Sequence, residues 1–465
     1  MGGVVAYDIS RLFLGSASTS PRGIDRVDLA LAEAVFANGD DGAVGVLPTP
    51  WGVRCYHGSK VRACLDHLRH AWSENRESAL DPAWDQLRSR LKGVPNAEFD
   101  THAVKGANLL VQIARLWALV RHTGFSLGRP VKSAVPKNAI YLNVGQIVLA
   151  VPFLFRWLEK RPDVTAVTML HDVIPLEHPS CVTAASARHH AQMVRTTARY
   201  AHGLIVTTQH AQETVTTALA AAGGKPIPTL EHHLPLADAF AAGGNAHPDL
   251  VGVRYFVICG HVEPRKNHAL LLEVWKRLLN EAGDDAPHLV VAGAPGWKAE
   301  EILSPLSDDQ LRSRVHHVSG LSSPALRQLM IGAAGLLMPS LAEGFGLPVQ
   351  EANALGVPVI ASDIPAHREI AQAGTVLLPS DDIEAWLQAV TALPPGMART
   401  APATDARQQQ AEYHRQVLAF ARESAASRAS RSSSAYGTVR RSSAEILDIP
   451  SPSSFLAPQD HAARI

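Results

Sequence analysis

The chain has 465 residues, more than one hydrophobic core usually serves, so two domains are expected. Its 43 basic residues balance 43 acidic ones, which argues against nucleic-acid binding as the main role. The four cysteines lack CxxC spacing, which indicates a reducing compartment and neither a zinc site nor a disulfide framework. Without a signal peptide or a long apolar run, the sequence predicts a cytoplasmic protein.

Short β-rich apolar runs alternate with helical patterns, which is typical of a parallel α/β fold. The predicted strands are 4–10, 139–145, 165–170 and 203–208 in the first half, then 255–260, 288–293, 335–340 and 357–362 in the second. Each half can therefore build its own sheet. The Gly-, Pro- and Ala-rich segment 232–250 is the predicted linker between domains at 1–240 and 250–395.

The C-terminal end of the chain has a different composition. Residues 396–425 contain one predicted helix, written ATDARQQQAEYHRQVLAFARESAA from 403 to 426. Residues 426–465 are rich in Ser and Arg and poor in large apolar side chains, so we predict a disordered tail there.

Two glutamates, Glu343 and Glu351, flank a glycine-rich turn after the predicted strand 335–340. Ligands of open α/β sheets bind at the carboxyl ends of strands, where a helix N-terminus offers N–H groups to phosphate. Pro348 suits the first position of such a helix, and Gly344 and Gly346 would let the backbone approach a ligand. An ordinary strand-to-helix corner explains this stretch equally well by itself.

Two cations, Arg265 and Lys266, follow the predicted strand 255–260. Their position at a strand's carboxyl end suits a diphosphate, whose charge must be stabilised when it leaves. Taken alone, a solvated Arg-Lys pair before a helix is the simpler interpretation.

These stretches together, EGFGLPVQE with its ALGVPVIAS continuation and the PRKN segment, closely resemble the motifs of the retaining nucleotide-sugar glycosyltransferases of family 4. The resemblance covers roughly residues 4–395 and is strongest in 255–380. It implies the GT-B fold, in which two Rossmann-like domains enclose a donor and acceptor cleft. It also implies that the final helix packs back across the N-terminal domain.

The resemblance assigns roles to matching positions in the second half. Glu343 would lie over the transferred sugar and Glu351 would bind the ribose hydroxyls, while Arg265 and Lys266 would serve catalysis at the diphosphate. Backbone groups that would hold the rest of the donor belong to Gly344, Phe345, Gly346, Leu347, Gly320 and Leu321.

In the first half, GIDRV resembles the G-I-x-R-V segment of the same enzymes and makes Gly23 a donor-site candidate. Arg26 is an acceptor-site candidate, although a solvent-exposed helix face explains it equally well. HDVIP resembles their H-D-x-I-P segment, which places His171 near the transferred sugar, with Asp172 orienting it or meeting the acceptor.

Asn143 and Gln146 also follow a predicted strand and could meet the acceptor. A polar cluster that is satisfied within the protein explains these two residues equally well.

The resemblance implies transfer of a sugar with retention of configuration, without a required metal or other cofactor. Mannose from GDP-mannose is the preferred donor, because GAPGW at 293–297 and the absence of arginine at His261 resemble polysaccharide mannosyltransferases. The implied acceptor is a glycan or a polyprenyl-diphosphate-linked saccharide in exopolysaccharide, capsule or O-antigen assembly. A non-catalytic nucleotide-sugar-binding protein and another GT-B enzyme, such as a phosphorylase or an epimerase, stay open as alternatives.

Residues 101–158 contain no acidic side chain and seven basic ones. An apolar-rich helix is predicted at 107–120, so the segment 105–137 could lie on an anionic membrane surface at the inner face of the plasma membrane. A core helix with a basic exposed end is the alternative.

Overall fold

The computed structural model describes residues 3–15, 23–37, 42–49, 52–73, 81–93, 117, 127–394, 400–401 and 405–444. Within these ranges the first half of the chain forms an eight-stranded sheet and the second half a six-stranded sheet. The prediction of a two-domain α/β protein with one sheet in each half is confirmed.

The N-terminal sheet consists of β1 (Val5–Asp8), β2 (Ala43–Thr49), β3 (Gly52–His57), β4 (Arg129–Pro130), β5 (Ile140–Asn143), β6 (Thr165–Met169), β7 (Gly203–Val206) and β8 (Thr229–Glu231). Its order is β4-β3-β2-β1-β5-β6-β7-β8. The strands from β2 through β8 in this order are parallel, whereas β3 and β4 extend one edge in antiparallel pairing.

Helices on both sides connect these strands. The α-helices described in this half are Ser10–Gly15, Gly23–Phe36, Gly58–Ser73, Pro82–Leu91, Val131–Ala134, Arg156–Glu159, Ile174–Glu177, Ala184–Tyr200 and Gln209–Ala221, with 3-10 turns at Ile147–Ala150, Pro152–Phe155 and Pro179–Cys181. Local sequence sets several starts: the Thr183 and Thr208 side chains each accept a backbone N–H of the helix that follows.

Between the two sheets the chain forms a short helix, Asp238–Ala241, the strand β9 (Gly244–Asn245) and a 3-10 turn, Pro248–Leu250. This stretch lies within the predicted linker 232–250. β9 pairs in antiparallel fashion with a strand from beyond the second sheet, β16 (Thr400–Ala401), so the linker and the C-terminal segment are joined.

The C-terminal sheet consists of β10 (Tyr255–Cys259), β11 (His288–Ala292), β12 (Val315–Val318), β13 (Gly335–Met338), β14 (Val359–Ser362) and β15 (Val376–Leu378). It is entirely parallel, in the order β12-β11-β10-β13-β14-β15. All five residues of β10 are buried, as expected for a parallel strand covered on both faces.

The helices of this domain are His268–Ala282, Ala299–Leu303, Asp309–Arg314, Ser323–Gly332, Leu347–Ala354, Pro365–Ile370 and Ile383–Ala392, with 3-10 turns at Pro264–Lys266, Gly283–Asp285 and Ser304–Ser307. Trp275 and Trp386 are fully buried beneath two of them. The Trp275 indole donates a hydrogen bond to the Pro287 carbonyl at 2.7 Å, so this large side chain is buried with its polar group satisfied.

The final helix, Ala406–Ala444, is longer than predicted. The helix was predicted to end at 425 and to be followed by a disordered tail from 426, but in the structure it continues to Ala444. No proline interrupts this stretch, and its Ser and Arg residues are compatible with a helix. Its first turns contact the N-terminal domain, and Tyr413, Val417 and Ala421 are buried there.

No helix within the described ranges combines the length and apolar composition needed to cross a bilayer. Of the predicted membrane-surface segment 105–137, the structure describes Trp117 and the residues from 127 onward. The predicted helix at 107–120 therefore lies outside the described residues except for Trp117, whose surface is 69% exposed.

Candidate functional site

A cleft of about 600 Å³ lies between the two domains and is lined by residues of both. Its walls come from the carboxyl ends of β6, β7, β10, β11, β12 and β13, from the loops that follow them and from the start of the helix Gly23–Phe36. Thirteen of the sixteen predicted site residues line this cleft: Gly23, Arg26, His171, Asp172, Lys266, Gly320, Leu321, Glu343, Gly344, Phe345, Gly346, Leu347 and Glu351.

The glycine-rich turn begins the helix Leu347–Ala354, one residue earlier than predicted, so Pro348 occupies the second helical position. Gly346 has a φ of 99°, a left-handed conformation that favours glycine. No side chain caps this helix start. Pro348 has no N–H and the Val349 N–H donates to the Gly346 carbonyl at 2.9 Å, so among the first three helical residues the Leu347 N–H is the group that can bind an anionic ligand.

Glu343 receives two charged hydrogen bonds from the loop after β10. Arg265 donates from Nη1 to Oε2 at 2.8 Å, and Lys266 donates from Nζ to Oε1 at 2.6 Å. The two strands that carry these residues, β10 and β13, are neighbours in the sheet. The structure therefore brings Glu343, Arg265 and Lys266 together, and of these three Arg265 is the one that does not line the cleft.

These contacts determine the charge state of the loop. Burial alone would raise the pKa of Glu343. The positive charges of Arg265 and Lys266 lower this pKa by a larger amount, so it lies well below its ordinary value. Arg265 loses hydration on burial, yet the Glu343 and Glu263 carboxylates raise its pKa. Glu343 is an ionised carboxylate at neutral pH, and two cations are already held beside the cleft.

Glu351 has a different environment. It is 5% exposed and accepts a hydrogen bond from Arg26 Nη1 at 3.1 Å. Burial raises the pKa of Glu351 to about 7, although the charge of Arg26 and its hydrogen bond lower it. Arg26 therefore does not lie on a solvent-exposed helix face, which was one of its two interpretations from sequence; it reaches across the cleft to the C-terminal domain.

His171 lies at the end of β6, and its Nε2 is buried without a hydrogen-bond partner in the described structure. The pKa of His171 is lowered to about 3. Burial is the largest cause, the nearby charge of Arg11 acts in the same direction, and a hydrogen bond to the Val144 backbone partly opposes both. The imidazole is therefore neutral at pH 7. It can position a sugar by hydrogen bonding, but it is not a cation in the resting protein.

The glycine-rich turn touches the N-terminal domain directly. Thr207 and Thr208 donate from Oγ1 to the Gly344 carbonyl at 3.0 Å and 3.3 Å. A Cβ at Gly344 would lie 2.8 Å from Asp172 Oδ2 and 3.1 Å from the His171 carbonyl oxygen, so a larger residue would require these neighbours to shift. Sequence analysis did not identify the two threonines, although the run GLIVTT at the end of a predicted strand was the signal that could have found them.

Asn143 and Gln146 are absent from the cleft wall described by the structure. Asn143 is fully buried and donates to the Tyr141 hydroxyl at 3.1 Å, while its Oδ1 accepts the Gln146 N–H at 2.9 Å. Gln146 Oε1 accepts the His171 backbone N–H at 3.3 Å. Their predicted contact with the acceptor is therefore not supported, and the alternative of a satisfied polar cluster describes them.

One group of three potential metal ligands occurs among the described residues: Glu231, His233 and Glu369. It is separate from the residues that line the cleft. Glu369 already accepts the backbone N–H groups of Gln209 at 2.8 Å and His210 at 2.9 Å, across the domain boundary. The carboxylate thus caps the helix Gln209–Ala221 and joins the two domains.

Comparison with known proteins agrees with this architecture. The crystal structure of Anabaena Alr3699/HepE in complex with UDP superposes with a TM-score of 0.50 and 15% sequence identity, covering 92% of this chain and 95% of that one. Two α/β domains, each built on a mainly parallel sheet, face each other across a cleft. This arrangement defines the GT-B fold, and the chain is therefore a GT-B protein. The predicted fold is confirmed.

Residues 253–394 match the family model described as glycosyl transferases group 1. A serotype-specific mannosyltransferase of Escherichia coli, WbdA, is 28% identical over 218 residues, which are 44% of this chain and 26% of WbdA. The O-antigen chain mannosyltransferase RfbU of Salmonella typhimurium is 32% identical over 139 residues, which are 29% of this chain and 37% of RfbU. The chain matches well under half of either relative's length.

Proposed function

We propose that this protein is a retaining glycosyltransferase that transfers a sugar from a nucleotide diphosphate donor to a hydroxyl of a glycan or lipid-linked acceptor. The observation that carries the proposal is the cationic loop of Arg265 and Lys266 beside Glu343, next to an uncapped helix start in the cleft. Their charges oppose those of a departing diphosphate. The group 1 glycosyl transferase domain supports the same conclusion.

In this proposal Lys266 and Arg265 stabilise the negative charge that develops on the leaving phosphate. Lys266 is only 6% exposed, so little water screens its charge. The N-terminal end of the helix Leu347–Ala354 adds a second source of positive potential. With these groups offsetting the diphosphate charge, the proposed reaction requires no metal.

Glu343 would hydrogen-bond the transferred sugar, and the neutral His171 imidazole would bind a sugar hydroxyl from the opposite domain. Attack of the acceptor on the face that the diphosphate leaves would retain the configuration. The leaving phosphate itself would take the acceptor proton. Closure of the cleft through Thr207, Thr208 and Gly344 would exclude water and so limit hydrolysis.

The proposed donor is GDP-mannose, because the relatives WbdA and RfbU are mannosyltransferases. Their roles in serotype and O-antigen synthesis suggest a growing polysaccharide as the acceptor. A lipid-linked acceptor would place the protein at a membrane. The exposed Trp117 and the exposed basic residues Arg129, Lys132 and Lys137 are compatible with an anionic surface.

The test begins with donor binding. Thermal unfolding is measured with GDP, UDP, ADP and their sugars, with and without Mg²⁺, and a ligand at one hundred times its Kd should add about 2.7 kcal/mol of stability. We expect GDP and GDP-mannose to stabilise the protein without metal. A response to none of them would refute the proposed function and favour a non-catalytic protein.

Transfer is then measured with labelled GDP-mannose for Glu343→Gln and Lys266→Ala. Each variant should lose at least about tenfold in kcat/KM, because each removes a contact to the transferred sugar or the leaving group. Glu301→Gln is the matched control, since Glu301 pairs with Lys298 at the surface. Normal rates in both site variants would show that the chemistry occurs elsewhere.

A further inference from the structure

The Arg26–Glu351 salt bridge is a contact between the two domains within the cleft. Arg26 belongs to the helix Gly23–Phe36 and Glu351 to the helix Leu347–Ala354. Nη1 and Oε1 are 3.1 Å apart, and the two side chains are only 21% and 7% exposed. A pair that is this buried strongly influences the ionisation of its members, because water screens it poorly.

Arg26 is also fixed on its other side. Its guanidinium carbon lies 5.5 Å from the centre of the Phe240 ring, and its Nε is buried without a partner in the described structure. Both Arg26 and Glu351 line the main cleft and a smaller cavity of about 180 Å³. The salt bridge therefore borders both spaces, and Glu351 is one of the residues that line the cleft.

We propose that Arg26 is a positioning residue for the donor site, which orients Glu351 and favours its ionised form so that the carboxylate can accept hydrogen bonds from the nucleotide's ribose. The sequence analysis considered Arg26 for the acceptor; the geometry points instead to the donor. This inference rests on the proposed function, because it takes a nucleotide diphosphate as the ligand of the cleft.

The charged groups around Glu351 leave Arg26 as its counterion. The helix Pro365–Ile370 packs against Leu347–Ala354, and its charged and titratable side chains are engaged with other partners. Arg368 pairs with Asp363, and His367 hydrogen-bonds the Ser362 carbonyl. Glu369 accepts the backbone N–H groups of Gln209 and His210. Asp238 of the helix Asp238–Ala241 accepts from Gln410. Lys266 binds Glu343, and burial raises the pKa of Cys259, which keeps it a neutral thiol.

Removal of Arg26 should therefore protonate Glu351 near neutral pH. Burial already raises the pKa of Glu351 to about 7 with Arg26 in place, and loss of the guanidinium charge would raise it further. A protonated carboxyl is a weaker hydrogen-bond acceptor than a carboxylate. Nucleotide binding would then depend on pH in a way that a purely structural residue would not cause.

The first experiment measures the Kd for GDP by calorimetry from about pH 6.5 to about pH 9, because Glu351 titrates in this range. Arg26→Gln should bind about tenfold more weakly than wild type near pH 7 and recover most of this loss at the alkaline end. Arg26→Lys, which keeps a positive charge, should remain within about threefold of wild type.

Glu351→Gln tests whether Arg26 acts through Glu351. It should bind GDP weakly at every pH, and the double variant with Arg26→Gln should be no weaker than Glu351→Gln alone. Arg69→Gln is the matched control, because Arg69 lines the same smaller cavity but pairs with Glu33 and is more than half exposed. Arg69→Gln should bind GDP as wild type does.

A second readout requires no nucleotide. A carboxyl whose folded pKa is raised stabilises the protein at low pH, and this stability is lost as the pH rises through the folded pKa. For wild type the loss from Glu351 ends slightly above pH 7, as its pKa of about 7 dictates. For Arg26→Gln the loss should continue to higher pH, and it should disappear in the double variant.

The outcomes separate the two proposals. Wild type that binds no nucleotide refutes the proposed function and with it the donor role of Arg26, while the unfolding curves still report the coupling to Glu351. If wild type binds GDP and Arg26→Gln binds equally well at each pH, the positioning role is refuted and the proposed function stands. Additive losses in the double variant would also refute it, because Arg26 would then act independently of Glu351.

Discussion

Two buried glutamates of the cleft show how neighbouring charge decides the state of a carboxyl group. Glu343 and Glu351 both lose hydration, which raises the pKa of each. Glu343 has two cations at 2.8 Å and 2.6 Å, and its net pKa falls, whereas Glu351 has one cation at 3.1 Å and a pKa of about 7. The first is a permanent anion, while the second depends on its single partner.

His171 is neutral in the folded protein mainly because burial lowers its pKa, and this leads to a prediction about stability. Its folded pKa of about 3 lies below the usual value near 6.5, so the unfolded chain binds a proton that the folded protein excludes. The stability due to neutral His171 is present above about pH 6.5 and is lost as the pH falls toward about 3, by about 1.4 kcal/mol per pH unit. Urea unfolding of wild type and His171→Asn measures this difference.

The variant should lose less stability than wild type between about pH 6.5 and about pH 5, because one titrating group has been removed. His178→Asn is the control, since His178 is an exposed histidine in the same loop region. Parallel stability curves for wild type and His171→Asn would show that His171 is not buried in its neutral form.

At the scale of strands and helices, the sequence predicts those elements that can be recognised from their own residues alone. The buried strands β10, β13 and β14 are recognisable because both of their faces are covered, so nearly every residue is apolar. The sequence analysis did not predict β8 or β12, because β8 is partly exposed and β12 contains two histidines. Their assignment depends on the neighbouring strand, which local sequence does not reveal.

The same distinction applies to the site. Arg265, Lys266 and Glu343 were predictable, because the carboxyl ends of parallel strands meet at one edge of a sheet. For Asn143 the sequence left two interpretations open, because a residue at a strand end points either into the core or toward the ligand and its sequence neighbours do not decide which. The Arg26–Glu351 contact joins residues 325 positions apart and depends on the orientation of two domains.

Close packing of strand ends gives a prediction for Gly293, the residue after β11. A Cβ there would lie 1.7 Å from the Gly260 carbonyl oxygen, which belongs to the backbone and cannot rotate away. Gly293→Ala should therefore separate β10 from β11 at their cleft ends, lowering the free energy of unfolding by about 3 kcal/mol. Nucleotide binding should weaken as well, since Gly260 and Gly293 both line the cleft.

Gly42→Ala is the control for chemical denaturation of this variant. Nothing lies within 4 Å of a Cβ at Gly42, and its φ is not positive, so the added methyl group should cost little. If Gly293→Ala unfolds at the wild-type denaturant concentration, the close approach of the two strand ends does not exist in solution.

At the scale of the whole molecule, one apolar cluster runs through both domains. It includes Tyr7 of β1, Phe240 of the linker, Val349 of the helix Leu347–Ala354 and Tyr413 of the final helix. The final helix therefore follows the C-terminal domain in sequence but packs on the N-terminal domain, as the resemblance implied. Together with the pairing of β9 with β16, this packing joins the C-terminal segment to both the N-terminal domain and the linker.

Tyr413 provides a test of this arrangement, because its ring and its hydroxyl make opposite contributions. The side chain is 1% exposed, and its ring packs edge-on against His232 with centres 5.2 Å apart. Removal of the ring in Tyr413→Ala should lower the free energy of unfolding by about 4 kcal/mol. The exposed neighbour Gln408 gives the control Gln408→Ala, which should change stability by less than about 0.5 kcal/mol.

Tyr413→Phe should behave differently from Tyr413→Ala. The hydroxyl is buried without a hydrogen-bond partner in the described structure, and burial together with nearby Asp28 raises its pKa. Phenylalanine fills the same space without an unsatisfied polar group, so this variant should equal or exceed wild-type stability by up to about 1 kcal/mol. Calorimetric unfolding of both variants distinguishes the cases. A large loss for Tyr413→Phe would mean that the hydroxyl is hydrogen-bonded, and wild-type stability for Tyr413→Ala would mean that the final helix does not pack on the N-terminal domain.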